Sequence, residues 1–440
     1  MLPDLTKLLD LSAAIDPTAL PAARLDFSKI PAKMAVYLLT GTSPDDSDSD
    51  TGSALLLATV GDLRAALQRR IAPVAPESPP QQATSEPDQN ATPASASAPS
   101  PPRSKRIRYG EICTRVSYRL VTSPFEANWY YLQAARLIFP DSYRQLISWR
   151  PAQYISLNPA EKFPHFRRTE DLSDSAQTYL GPISDRRSAD KLIETLEDLF
   201  DLCRYHHILV QAPHGKACAY KEMGKCPAPC DGTISLDAYY TQIRSAQAIL
   251  TTPGACGYVR WRTTQEEQMK TAAAGLDFER AGKIKQRLTR AQLLEQEAFA
   301  HLRPLRETAC LSLQPGPGRP WITPFFIHGG MINAHPPVKI KDIPTVAIQW
   351  HARCTQLAAE PVTQPLSQAE TEHLALVAHH LAKGPVDAGL YLPVQTIAAG
   401  SVEDLAKTAL EFRAKPTPTK PLLEQSSEPT TPGYEPGEER

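Results

Sequence analysis

Four cysteines fall within 28 positions of the chain: Cys203, Cys218, Cys226 and Cys230. Fourteen residues separate the first two, seven the next two and three the last two. Thiolates at such short range are natural ligands for zinc or for an iron–sulfur cluster. The last pair is stiff, because in Cys226-Pro-Ala-Pro-Cys230 two prolines fix φ and lower the entropy cost of presenting both sulfurs. Lys216, Lys221 and Lys225 lie nearby and favour the thiolate form. The spacing is not a sharp Cys-x-x-Cys pattern, so it suits reduced, partly buried thiols that ligate nothing equally well. His206, His207 and His214 are alternative ligands. Cys113, Cys256, Cys310 and Cys354 are scattered and read as structural.

Ligands need elements to hold them. Ser188–Tyr205 carries Leu192, Leu196, Leu199 and Phe200 at helical spacing, so a helix leads into the cysteines. Thr264–Leu305 is a long polar helical segment with a narrow apolar stripe. Near the N-terminus, Met34–Thr40 and Ala54–Val60 are apolar, β-prone runs that form a hairpin around the acidic loop Gly41–Ser53. Met1–Lys33 reads as a short leader with helical pieces. Gly61 ends the hairpin, and Asp62 caps a helix to Arg70. Arg115–Val121 alternates as a strand, and Ser123-Pro124 opens a helix that Pro140 stops. Ala152–Leu157 reads as a strand and Phe325–Gly330 as a strand and turn within the Gly/Pro-rich stretch Pro304–Ile343. Ser367–Lys383 and Ser401–Arg413 read as helices, the second opening on Ser-Val-Glu-Asp.

The chain has 440 residues with 47 basic and 48 acidic side chains, a formal net charge of −1. That balance removes any global-charge argument for nucleic-acid binding and leaves only local patches. One such patch is Arg103, Lys105, Arg106 and Arg108, with Arg115 and Arg119 beyond it; these basic residues suit phosphate contacts or a solvated linker end. Proline, at 42, is about twice average usage. Nine prolines fall in Ile71–Pro102, whose composition cannot bury enough surface to offset its chain entropy. No run of 18 apolar residues spans a membrane, and Met1–Lys33 lacks a signal-peptide layout, so a cytoplasmic protein is expected.

Within the long segment, Gly275-Leu-Asp-Phe278 turns between two helices with Asp277 as N-cap, and Ala281, Ile284, Leu288 and Ala291 line one side of the second. Such a hairpin has too little core to stand alone, and a coiled-coil spacer is the plain alternative. The run Gly275-Leu-Asp-Phe-Glu-Arg-Ala-Gly-Lys-Ile-Lys-Gln-Arg-Leu288 resembles the UVR motif of the bacterial excinuclease proteins UvrB and UvrC. Thr178-Tyr-Leu-Gly-Pro-Ile183, Ala217-Cys218 through Cys226-Pro-Ala-Pro-Cys230-Asp-Gly232, Ile234-Ser-Leu-Asp-Ala-Tyr239 and Phe163-Pro-His-Phe-Arg-Arg168 are similar to segments of the UvrC family, in the same order. Residues 31–305 therefore resemble the N-terminal half of the UvrC excinucleases and their short Cho-type relatives.

The resemblance implies an α/β (α+β) protein. A GIY-YIG-like small antiparallel sheet with helices would occupy 1–70 and 103–180, split by a disordered linker at 71–102. A cysteine-cluster region at 181–260 and a UVR hairpin at 261–306 would follow, then a region of unassigned fold at 307–414 and a disordered tail at 415–440. It further implies a [4Fe–4S] cluster on Cys203, Cys218, Cys226 and Cys230, with zinc as the alternative. It implies a UvrB-like helicase contact through Phe278, Ala281, Ile284 and Leu288, and damaged duplex DNA as the substrate.

The family's nuclease chemistry needs two tyrosines, an arginine and a glutamate holding Mg²⁺. Tyr37 matches the first tyrosine. Thr59 stands at the second, Ala66 at the arginine and Tyr131 at the glutamate. Tyr37 is then a remnant, and Glu126 could bind metal only in a shifted alignment. No segment typical of the family's second nuclease, and no helix–hairpin–helix DNA clamp, follows residue 305. Three functions compete: a non-catalytic repair scaffold, a divergent single-incision endonuclease, and an interaction module outside repair.

Overall fold

The structure is a computed structural model. It describes residues 5–19, 23–41, 53–71, 109–251, 256–299, 301–362, 364–383, 389–414 and 425–426. The basic stretch Arg103–Arg108, the linker from residue 72 onward and the tail beyond 414, apart from Gln425–Ser426, lie outside the described residues. The chain divides into two compact units, one made of Met1–Val121, Glu126–Ile147 and Pro421–Arg440, the other of Thr122–Phe125 and Ser148–Lys420.

The first unit holds strands β1 (Leu11–Ala14), β2 (Ala35–Gly41), β3 (Ser53–Val60) and β4 (Cys113–Leu120). They form an antiparallel sheet in the order β1-β4-β2-β3, with Gln425–Ser426 added outside β3. The apolar runs read from the sequence are β2 and β3. The leader differs from its helical expectation: Leu11–Ala14 is a strand that pairs with β4, Leu11 opposite Tyr118. The free edge of β4 supplies the backbone partners, and this tertiary demand overrides weak local propensity. Helix α1 (Leu63–Ile71) starts where Asp62 Oδ1 accepts from the Ala65 amide at 3.0 Å. It lays Leu63, Ala66, Leu67 and Ile71 on the sheet face that carries Ala35, Tyr37 and Leu39. Helices α2 (Tyr109–Ile112), α3 (Pro124–Ile138) and α4 (Tyr143–Leu146) follow.

The second unit opens with β5 (Gln153–Leu157), β6 (Arg167–Thr169), β7 (Thr178–Ile183) and β8 (Arg303–Pro304), antiparallel in the order β6-β5-β7-β8. Helix α5 (Arg186–Phe200) packs Leu192, Leu196 and Leu199 into one core with Ile155, Leu157, Leu180 and Ile183. Its N-cap is Asp185, whose carboxylate accepts from the Ser188 amide at 2.9 Å. It stops at Phe200 rather than Tyr205, because Asp201 turns left-handed with φ 52° and closes the C-terminus. Short α6 (His206–Leu209) and α7 (Ala219–Glu222) precede the long α8 (Leu236–Thr251), α9 (Cys256–Ala274) and α10 (Phe278–Ala291).

Pro304–Ile343, irregular by composition, contributes most of a second sheet. Strands β9 (Cys310–Pro315), β10 (Trp321–His328), β11 (Met331–Ala334), β12 (Val338–Lys339) and β13 (Leu390–Pro393) pair antiparallel in the order β11-β10-β9-β13, with β12 also on β10. Pro324 sits inside β10, at the point where the outer partner changes from β12 to β11. There its missing N–H costs no ladder bond on that side. Helices α11 (Ile343–Ala359), α12 (Gln368–Ala382), α13 (Val394–Ala399) and α14 (Val402–Ala414) complete the unit, and α11, α13 and α14 share a core with β9 and β10. Ser401 caps α14 as its sequence suggests, accepting from the Asp404 amide at 3.1 Å. The architecture is thus mixed α/β with small antiparallel sheets. Among the described residues no helix is long and apolar enough to cross a membrane.

Leu196 is fully buried where α5 meets β5 and β7. Leu196→Ala should cost about 2–5 kcal/mol, read as a fall in the urea midpoint with the slope unchanged.

Candidate functional site

The end of α5 delivers the first cysteine. The left-handed Asp201 reverses the chain, the Leu202 amide donates to the Glu197 carbonyl at 3.0 Å, and Cys203 emerges buried. The Cys203 thiol sits 3.6 Å from the Tyr205 carbonyl. Cys218 occupies the N-cap position of α7 and is half-buried. Cys226 and Cys230 are buried. Between them Ala228 adopts φ 57°, flanked by Pro227 and Pro229, and a 3-10 turn over Pro229–Asp231 presents Cys230. The Gly215 amide donates to the Cys230 carbonyl at 2.8 Å, which ties the loop before Cys218 to the end of the cluster.

The four sulfurs feel one another. Cys203 and Cys226 share a hydrogen bond that holds the proton on Cys203 and raises its pKa, burial adding to the rise. The same bond, with the charge of Arg204 assisting, lowers Cys226 to about 7. Cys230 is pushed up by burial first, and then by the negative charge of Cys226, Asp231 and Cys218. Of the nearby lysines, Lys221 is committed elsewhere: its Nζ donates to Asp231 at 2.5 Å and to Thr233 at 2.8 Å. That contact holds the Asp231 carboxyl down at about 2. The isolated cysteines Cys113, Cys310 and Cys354 are each buried and pushed up to about 12 by desolvation, as inert core thiols should be.

Among the described residues, one set of three metal-type ligands has its donor atoms within 4.8 Å of one another, and it is not the cysteines: Glu161, His165 and His206. The Glu161 set is already closed by a cation of the chain. Arg167 forks both carboxylate oxygens of Glu161, at 3.1 and 3.0 Å, and its Nε donates to His165 Nε2 at 2.7 Å. His165 and His206 stack at 3.8 Å, and burial, followed by the charges of Arg167 and His206, lowers His165 to about 4. The guanidinium fills the charge role a metal would play. The sequence carries His165 and Arg167 within Phe163–Arg168, but nothing in the spacing announces their meeting with Glu161 and His206.

Of the positions in the first unit that the resemblance aligns with nuclease residues, Tyr37 and Ala66 share one core while Thr59 faces the other side of the sheet. Tyr37 pairs across β3 with Ala58, while Thr59 pairs with Val36, so Tyr37 and Thr59 leave opposite faces of the sheet. Tyr37 and Ala66 are both fully buried in the core under α1. Tyr131 is fully buried too, and its hydroxyl donates to the Leu146 carbonyl at 3.2 Å. Burial raises that phenol to about 12. Neighbouring arginines are engaged structurally. Arg64 Nε donates to the Ile30 carbonyl at 2.7 Å. Arg119 lies on the face of Val36, away from Tyr37, and donates to the carbonyls of Leu8 at 2.6 Å and Lys7 at 2.8 Å and to the Tyr130 hydroxyl at 3.1 Å. Glu126 is half-buried in the first turn of α3, and burial raises the Tyr130 phenol first, with the charge of Glu126 adding to the rise.

Helices α9 and α10 form the expected hairpin. Asp277 caps α10, accepting from the Arg280 amide at 3.1 Å. The residue carrying positive φ is Leu276, at 62°, and not Gly275. Phe278 is 67% exposed and Leu276 74%. Ile284 is buried, and Ala281 and Leu288 are half-buried, where α10 packs on α9 and α5. Those three positions therefore seat the hairpin on its own chain, and the exposed apolar feature is the tip. Arg287 pairs with Asp201, linking α10 to the turn that leads into Cys203.

Residues 152–249 match the family model described as the UvrC/Cho excinuclease middle domain, a span that holds β5 to α8 and all four cysteines. Among curated proteins, the UvrABC system protein C of Novosphingobium aromaticivorans is 28% identical over 50% of this chain and 33% of its own length. That of Syntrophomonas wolfei is 25% identical over 41% of this chain and 29% of its own length. That of Natronomonas pharaonis is 32% identical over 26% of this chain and 19% of its own length. The matches thus cover a third or less of these relatives. No solved structure matches the chain. Over the matched region the chain is of the UvrC type.

Arg204 binds this region together. Its guanidinium pairs with Asp198, lies 3.7 Å from Glu197 and sits over the Tyr220 ring at 4.4 Å, with its side chain 13% exposed. Burial raises Glu197 to about 7, more than the pull of Arg204 at that distance lowers it. The stability this carboxyl contributes is therefore fully present below its ordinary value near 4.5 and is lost as pH rises to about 7. Arg204→Met should cost about 3–5 kcal/mol by leaving buried carboxylates without their partner. The deficit against wild type should be larger in urea unfolding at pH 8 than at pH 5, where Glu197 is protonated.

Proposed function

We propose that this chain is a UvrC-like nucleotide excision repair protein of the cytoplasm. It acts as a non-catalytic or weakly active scaffold that docks on a UvrB-like helicase and on damaged duplex DNA. The observation that carries the reading is the fate of the nuclease positions. Thr59, Ala66 and Tyr131 replace the reactive groups, and with Tyr37 they sit in packed cores or on opposite sheet faces. A methyl group and a buried phenol cannot hold a divalent metal or stabilise a developing phosphate charge. Mg²⁺ would matter only if Glu126 served from its shifted position.

Cys203, Cys218, Cys226 and Cys230 would hold the proposed [4Fe–4S] cluster. Three buried sulfurs and one half-buried sulfur, continuous with an apolar core, support a thiolate-held group. When bound, such a cluster supplies a one-electron redox centre and a covalent tie between the end of α5, the start of α7 and the Pro-Ala-Pro turn. The residues of the chain do the rest: Asp201 and Ala228 turn the backbone to aim the thiols, and Arg204 offsets the charge of Cys226. The tip of the hairpin supports the partner contact, because an exposed leucine held left-handed beside an exposed phenylalanine is costly without an occupant. Arg103, Lys105, Arg106 and Arg108 are proposed phosphate contacts on charge alone.

Damaged duplex incubated with UvrA, UvrB, Mg²⁺ and this protein should show no incision. Metal-dependent nicking abolished by Tyr37→Phe or Glu126→Gln would overturn the scaffold reading in favour of a Cho-like single-incision endonuclease. Anaerobic purification should yield brown protein with about four irons per chain, lost in Cys226→Ser; stoichiometric zinc would overturn the cluster. Phe278→Ala should change folding stability by less than about 0.5 kcal/mol yet weaken binding to a UvrB-like helicase roughly tenfold or more. An unchanged affinity would point instead to a hairpin module outside repair.

A further inference from the structure

We infer that the surface around Tyr205, on the loops that carry the cysteines, binds single-stranded DNA by stacking an unpaired base on Tyr205 while neighbouring lysines take the phosphates. The inference rests on the repair reading and assigns it a second contact surface, distinct from the hairpin tip. Tyr205 is 41% exposed and Met223 59%, both on a loop system otherwise rich in polar residues. The tyrosine is held as a fixed platform. Its carbonyl accepts from the Ile208 and Leu209 amides, both at 3.0 Å. Its ring packs beside Tyr220 at 5.8 Å and His207 at 5.6 Å, and Arg204 lies over the far ring of Tyr220 at 4.4 Å. Met223 follows Tyr220 by one helical turn, and the Lys225 amide donates to the Tyr220 carbonyl at 2.9 Å, which holds the Lys225 backbone beside Tyr220.

Charge selects the occupant. Between Leu202 and Ala228 stand four cationic side chains, Arg204, Lys216, Lys221 and Lys225, against one carboxylate, Glu222. Arg204 and Lys221 are paired, whereas Lys216 and Lys225 make no ion pair with any described residue. Aromatic rings interleaved with unpaired lysines suit a polyanion that offers flat apolar faces. A duplex hides those faces, and a single strand exposes them.

The test uses the full cluster-loaded chain and a fluorescent oligothymidylate of about 12 nucleotides, with a hairpin duplex as comparison. Tyr205→Ala should weaken oligothymidylate binding about tenfold with iron content and thermal midpoint unchanged, and Tyr205→Phe should retain it. The double variant Lys216→Glu, Lys225→Glu should reduce the slope of log affinity against log salt by about 1.4, two phosphates at about 0.7 each. Unchanged single-strand affinity in Tyr205→Ala overturns the inference while leaving the repair reading intact. Loss of UvrB-like binding in that variant, with DNA binding kept, also overturns it and makes the surface a protein contact. Wild-type protein that binds neither DNA form defeats the repair reading and this inference together.

Discussion

One buried seam governs the second unit: the contact of Leu192, Leu196 and Leu199 on α5 with Ile155, Leu157, Leu180 and Ile183 on the sheet. It fixes α5 on the sheet, and the left-handed Asp201 that ends α5 sets where the first thiol emerges. Cys203, Cys226, Leu209 and Tyr239 belong to the same apolar cluster, so the candidate metal centre is continuous with the core rather than hung from a loose loop. Tyr239 anchors the opposite side through its hydroxyl on the Pro164 carbonyl at 3.3 Å. A cluster seated in this way has low-dielectric surroundings, which sharpen every charge near it.

That dielectric explains the crowd of paired ions around the cysteines. Arg204 meets Asp198 and Glu197, Arg287 meets Asp201, and Lys221 meets Asp231. These acids lie at the end of α5 or on the turns beside the thiols, and each is partly shielded from water. Arg167 plays the same part beside His165 and His206, where it closes with protein charge a pocket whose ligands could otherwise suit a metal. The arrangement separates two groups that the residue types alone would confuse: four thiols that no cation among the described residues closes together, and histidines already engaged by Arg167.

In the first unit the positions that the resemblance aligns with nuclease groups are occupied by packing side chains. Ala66 fits under the sheet beside Tyr37, where a guanidinium would be stranded among Leu63, Leu67 and Ile71. Tyr131 fills a fully buried site and satisfies its hydroxyl on a backbone carbonyl. Neighbouring arginines are engaged structurally, Arg64 and Arg119 with backbone carbonyls.

The residues of the cysteine quartet, the helical stripe that precedes it, the strand pair at Met34–Val60 and the caps at Asp277 and Ser401 were all legible in the order of amino acids. Each depends on short-range spacing, composition or cap chemistry, which a linear pattern carries directly. Tertiary structure alone decided that Leu11–Ala14 is a strand, that the Pro/Gly-rich run 304–343 builds a sheet, that Ile284 faces inward while Phe278 does not, and that Glu161 meets His206 across 45 positions. Those outcomes turn on which edge, core or charge a segment finds far along the chain. Long-range pairing of that kind leaves no periodicity in the residues that make it.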